Sequence, residues 1–152
     1  MQNHLDELIN HLDNIIIPQL RKYGLKFLRY SIAVVFIWFG ALKVVGYSPA
    51  SELAAKTVYW LDPGFFVPFL GCWEVLIGVC FLFRPFLRFG ILILAPQMAG
   101  TFLPLVLLPQ VVYQNGNILL PTLEGQYIIK NLVIISASMV IGAHVKDAEE
   151  KA

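Results

Sequence analysis

Charge is what this sequence has least of. Asp, Glu, Lys and Arg make up 14% of its 152 residues and nearly cancel, to a net +1, where a soluble domain carries about 25%. No basic run exists to follow a phosphate backbone, so nucleic acid is excluded as a partner. Cysteine is scarce as well: Cys72 and Cys80 lie eight residues apart in one apolar stretch. On a helix that separation is a rise of about 12 Å, beyond disulfide reach. A disulfide-stapled scaffold is therefore excluded, and the cysteines do not report on redox compartment. Cys-x-x-Cys, Gly-x-Ser-x-Gly, His-Glu-x-x-His, a Gly-rich phosphate loop and a histidine pair spread over two apolar segments are all missing. His4, His11 and His144 lack the further ligands a metal requires. No metal or haem is expected, and any electron chemistry would need a bound quinone or a partner protein to carry it.

Apolar side chains are abundant instead, at 58%, with a mean hydropathy of +0.71. A chain this short has too little interior to hide that much apolar surface from water, which points to a lipid bilayer as its solvent. Four segments, about 27–47, 65–83, 87–108 and 127–145, are apolar and near the ~20 residues a helix needs to cross a ~30 Å hydrocarbon core. The expected fold is an all-α membrane protein, a four-transmembrane-helix bundle over 25–146. An amphipathic helix in 1–24 precedes it, and a charged tail over 147–152 follows. In the N-terminal segment Leu5, Leu8, Ile9, Leu12, Ile15, Ile16 and Leu20 share one face, opposite Asp6, Glu7, Asn10, Asp13 and Asn14. It is too polar to span, and Pro18 and Gly24 predict a loosened turn before the first span. It would lie on the inner membrane face or dock on a partner protein. Arg21, Lys22, Lys26, Arg29, Arg84, Arg88, Lys146 and Lys151 fall on one side, against Lys56 and Lys130 on the other. The positive-inside rule then puts both termini in the cytoplasm.

Ionisable groups inside a span cost about 2.5–3.5 kcal/mol each on insertion scales, which makes Lys43 and Glu74 informative. Glu74 falls about 13 Å into its span, and Lys43 nearer the outer end of the first, so a long lysine stem can reach the carboxylate. Gly71, Glu74 and Gly78 share a stripe, as do Ala33, Phe36, Gly40 and Lys43 in the first span. Gly90, Ile93, Gln97, Thr101 and Pro104 form a third, and Asn131, Ser138 and Gly142 a fourth. Small and polar residues mark the faces that meet in a membrane bundle. Lys43, Glu74, Gln97, Thr101, Lys130 and Asn131 are thus the candidate ligand-binding set. Together with carbonyls freed by Pro96 and Pro104, they would line a polar pocket in the outer half. The same groups can equally lock four helices in register, and Lys130 can snorkel to the interface.

The motifs Arg29-Tyr30 with Phe36-Ile37-Trp38-Phe39-Gly40-Ala41-Leu42-Lys43, Gly71-Cys72-Trp73-Glu74-Val75-Leu76-Ile77-Gly78 and Leu123-Glu124-Gly125-Gln126-Tyr127-Ile128-Ile129-Lys130-Asn131-Leu132 resemble the DoxX-like family of small four-helix membrane proteins. The resemblance covers roughly 26–144. It implies a bacterial or archaeal cytoplasmic (inner) membrane protein, of a group that includes the small subunit of thiosulfate:quinone oxidoreductase and proteins of oxidative-stress and thiol defence. The expected function is an integral subunit of such an oxidoreductase system, binding a quinone or a small sulfur or thiol species. Whether the chain is itself an enzyme stays open. An accessory or scaffold subunit without its own ligand, and a small-solute transporter, are the alternatives. The expected partners are the bilayer, a membrane or soluble oxidoreductase, and a second copy of the chain.

Overall fold

The computed structural model describes residues 2–145. Those residues form the helices α1 (Gln2–Val44), α2 (Ser51–Thr57), α3 (Pro63–Leu82), α4 (Leu87–Phe102), α5 (Pro104–Leu107), α6 (Pro109–Val112), α7 (Leu123–Ile129) and α8 (Asn131–Ala143). Among the described residues β pairing is confined to an isolated bridge between Tyr113 and Pro121. Four stretches, Ile9–Val44, Pro63–Leu82, Arg84–Leu107 and Leu123–Ala143, are long and apolar enough to cross a membrane.

Caps and prolines set where these stretches begin and break. The Asp62 carboxylate accepts from the Phe65 N–H at 3.0 Å, and Pro63 takes the first helical turn, so the second stretch opens at Pro63 rather than at 65. The Thr122 hydroxyl caps α7 in the same way, accepting from the Gly125 N–H at 3.2 Å, and the fourth stretch starts at Leu123 rather than 127. Pro104 has no N–H to continue the ladder, so the third stretch divides into α4 and α5. The fourth divides at Lys130, between α7 and α8.

The N-terminus departs furthest from expectation. No turn separates an amphipathic helix from the first span: α1 is one helix of 43 residues, about 65 Å long. Pro18 withholds a single N–H, and Gly24 is surrounded by open space. One missing bond does not outweigh a hydrogen-bonded ladder that continues on both sides. Every residue from Ile9 to Gly24 is exposed, including Ile9, Leu12, Ile15, Ile16 and Leu20. The expected contributions of Leu5 and Leu8 to this face, and the tail at 147–152, lie outside the described residues.

α1 and α3 run antiparallel and form the most extensive pairing in the molecule. A Cβ added to Gly40 would come within 2.6 Å of the Gly71 carbonyl oxygen, and one on Gly78 within 2.8 Å of the Ala33 carbonyl oxygen. The two backbones are in contact along this seam, which only residues without side chains allow. α4 packs antiparallel on α3, with Gly90 against Cys80. α8 is held more thinly, against α1 and α4. Ala33, Phe36, Ile77, Phe81 and Leu94 are in the core, while Trp38, Leu92, Val133 and Met139 are exposed, giving the bundle an apolar exterior.

The two ends of the bundle differ. At one, the tight-turn end, a 3-10 turn at Arg84–Phe86 joins α3 to α4. At the other, the loop end, 45–62 and 108–122 cover the helices. The second loop folds back on itself: the Thr122 N–H and hydroxyl donate to the carbonyls of Val112 (2.9 Å) and Val111 (2.8 Å). Asn115 (φ 53°) and Gly116 (φ 72°) supply the left-handed turn that their sequence suggests. On α2, Lys56 donates to Glu52 at 2.7 Å across one helical turn. That hydrogen bond and the lysine charge hold the exposed Glu52 carboxyl below its usual range.

Candidate functional site: a buried polar chain across three helices

The close α1–α3 seam creates the site. Lys43 is in the last turn of α1, where a cation complements the helix dipole. Gly71 lies opposite it, and a Cβ there would come within 2.9 Å of the Lys43 Cβ, so the missing side chain leaves room for the lysine stem. Glu74 is one turn further along the same stripe of α3. Lys43 Nζ donates to Glu74 Oε2 at 2.6 Å. From the other side of α3, Gln97 Nε2 on α4 donates to Glu74 Oε1 at 2.9 Å. Lys43, Glu74 and Gln97 are 7%, 8% and 9% exposed, so a charged chain of three side chains is closed off inside an apolar bundle.

Both carboxylate oxygens of Glu74 thus have a donor, and Gln97 decides which oxygen faces the lysine. A buried ion pair is tolerated when such added hydrogen bonds satisfy its remaining lone pairs. Chemically, the arrangement can hold a proton between Lys43 and Glu74. It can also offer an ammonium and an amide to a carbonyl or an anion that displaces the carboxylate.

The other candidate residues are engaged elsewhere. Thr101 donates back to the Gln97 carbonyl at 2.9 Å, one turn along α4, and touches the chain only through that backbone. Asn131 donates to the Tyr127 and Ile128 carbonyls at 3.1 Å, across the break between α7 and α8. Lys130 is exposed, with its ammonium 4.1 Å from the Tyr127 ring centroid. The expected convergence of six residues is corrected to three. The Asn131 amide nitrogen serves the helix break, and Lys130 on the outer face keeps its charge beside an aromatic ring.

A cavity of different character lies beside the polar chain. Between α4 and α8 lies a cavity of about 410 Å³ with an apolar lining that includes Leu94, Met98, Phe102, Ile135 and Met139. Its one hydroxyl, on Ser138, donates to the Ile134 carbonyl of its own helix at 2.8 Å. Leu94 and Met98 flank Gln97 along α4, so groove and polar chain occupy neighbouring faces of one helix.

Trp73 supports the site as a fastener between helices. Its indole N–H donates to the Ile93 carbonyl at 3.2 Å, fastening α3 to α4 beside Glu74.

Among the described residues no cluster of three His, Cys, Asp or Glu side chains could hold a metal ion. No protein-family model, no curated protein and no solved structure matches the chain.

Proposed function

We propose that this protein is an integral-membrane subunit of an oxidoreductase or oxidative-stress system, and that it binds an amphiphilic redox ligand of the quinone class. The observation that carries this reading is the Lys43–Glu74–Gln97 chain, because paired ionisable groups buried within spanning helices are functional by default. The ligand's polar head would exchange hydrogen bonds with Gln97 and Lys43, and Glu74 would hold or release the accompanying proton. The apolar groove on the neighbouring face of α4 offers its tail a place. The resemblance to the DoxX-like family in the Glu74 and Lys43 motifs supports the same class. A small sulfur or thiol species would use the polar chain without the groove.

Mass spectrometry of small molecules extracted from gently purified protein tests this reading, comparing wild type with Glu74→Gln and with the groove-filling Ala95→Phe. A stoichiometric quinone lost in both variants is the expected result. Wild type that yields no such molecule defeats the reading.

One observation favours a second function, as an accessory subunit: the uncovered half of α1, with its exposed Ile9, Leu12, Ile16 and Leu20, is a ready contact for a partner. Deleting 2–20 would then abolish co-purification of that partner, while Lys43 and Glu74 variants would only lower stability. In either case the basic residues at the tight-turn end support placing that end, with both termini, in the cytoplasm.

A further inference from the structure

Arg29 has no part in the polar chain described above. It lies on α1 one turn before Ala33, whose carbonyl contacts Gly78. The antiparallel register therefore brings it level with the α3–α4 turn at Arg84–Phe86. Its side chain is 8% exposed, yet its Nε is buried with no hydrogen-bond partner. Among the described residues its guanidinium stacks on the neighbouring Tyr30 ring, 4.7 Å from its centroid, and that ring is itself exposed.

Within the described residues the sequence offers it no nearby carboxylate, and the acids Asp147, Glu149 and Glu150 lie outside them. Between Asp13 and Glu52, between Glu74 and Glu124, and from Gly125 to Val145, the chain has no Asp or Glu. Among the described residues the tight-turn end is therefore free of acid, while Lys26, Arg84 and Arg88 join Arg29 there. A nearly buried guanidinium without an acceptor is the costly half of an ion pair. The fork of N–H groups on Nε and Nη matches two oxygens of one phosphate. The level fits too, since Arg29 stands beside the end of α3 and the ends of spanning helices lie at the headgroup level, where tyrosine also collects.

We infer that Arg29, with Tyr30 beside it, forms a phosphate-binding site at the tight-turn end, and that the phosphate belongs to the headgroup of an anionic phospholipid. The site is independent of what the Lys43–Glu74 pair binds.

Full-length protein in neutral detergent, titrated with phosphatidylglycerol, with diacylglycerol of the same chains and with inorganic phosphate, tests this through its thermal midpoint. Phosphatidylglycerol should raise the midpoint saturably and diacylglycerol should not. Arg29→Gln should weaken the apparent affinity about tenfold, as loss of one charge-assisted contact does. Arg29→Lys, which keeps the charge and loses the fork, should fall between, and the exposed Arg84→Gln should change it by less than about twofold. A saturable response to inorganic phosphate that Arg29→Gln abolishes keeps the phosphate site and assigns it to the free anion. Unchanged lipid affinity in Arg29→Gln, or an equal loss in Arg84→Gln, overturns the site. Where Arg29→Gln does not fold, Arg29→Lys decides: a several-fold loss supports the fork, and wild-type affinity overturns it.

Discussion

Removing one member of the Lys43–Glu74 pair strands a charge in an apolar interior, whereas removing both does not. Lys43→Met and Glu74→Leu should each destabilise the bundle by about 3–5 kcal/mol, and the double variant should recover most of that loss. Unfolding the three variants and wild type in detergent completes the cycle; a double variant as unstable as the sum of the singles would show that the residues act apart. Gln97→Leu should cost less, about 1.5–3 kcal/mol, because Glu74 loses one charge-assisted donor and keeps its counter-ion. Lys43, Glu74 and Gln97 were legible in the sequence because polar groups within an apolar segment must face the bundle interior, whether they bind a ligand or lock the helices. Lys130 and Asn131 stand apart from that chain of three, since a spacing argument gives the face of a helix and not the direction a side chain takes at a break. Arg29 was counted as one charge among many on its side, because burial of a cation against a neighbouring helix leaves no mark in composition.

The α1–α3 seam is where a whole element depends on one missing methyl group. Gly71→Ala puts a carbon against the Gly40 carbonyl and the Lys43 stem at once, and neither backbone can yield without separating the helices. The expected loss is about 1–3 kcal/mol of stability from overpacking. Gly24→Ala on the same helix α1 as Gly40, with nothing within 4 Å, should be neutral or slightly stabilising, as alanine is the better helix former. Thermal midpoints of the two variants in one detergent separate close approach from propensity. α2 responds to pH instead. The Glu52 carboxyl is held below its ordinary 4.5 by the hydrogen bond and charge of Lys56. Its contribution is therefore complete above that value and is lost as pH falls through the lowered one, and amide exchange in 51–57 should quicken only below about pH 4.5. Three of the four spans were readable from length and period, with ends misjudged by a few residues where Asp62 and Thr122 cap earlier than the apolar run begins. Continuity of α1 was not readable, because Pro18 and Gly24 are breakers on average and only the intact ladder on either side overrules them.

For the molecule as a whole, the distribution of basic residues makes a topological statement that labelling can check. In a chain with Cys72→Ser and Cys80→Ser, Asn117→Cys in the second loop should react with a membrane-impermeant thiol reagent added to intact cells. Arg84→Cys in the tight turn should react only after the membrane is opened. Equal labelling of both positions in intact cells would contradict the orientation. α1, at about 65 Å, is roughly twice the length a bilayer core accommodates, so a span formed by its second half would leave the first half outside the hydrocarbon. Deleting 2–20 should leave the bundle's unfolding free energy in detergent within about 0.5 kcal/mol of wild type, because residues 9–24 are exposed throughout.

By itself the sequence determined that the chain forms four long apolar helices, that Lys43 and Glu74 face inward, and that one end is basic. Each of these follows from a local count of hydropathy, period or charge. Tertiary structure decided which polar residues meet. Whether Gln97 or Asn131 completes the Glu74 carboxylate depends on how close α3 comes to α4 and how thinly α8 is held. Whether Arg29 finds an acceptor depends on which residues share its level in the antiparallel register. Such contacts join positions more than twenty residues apart in the chain, and no periodicity within one helix carries information about the distance to the next.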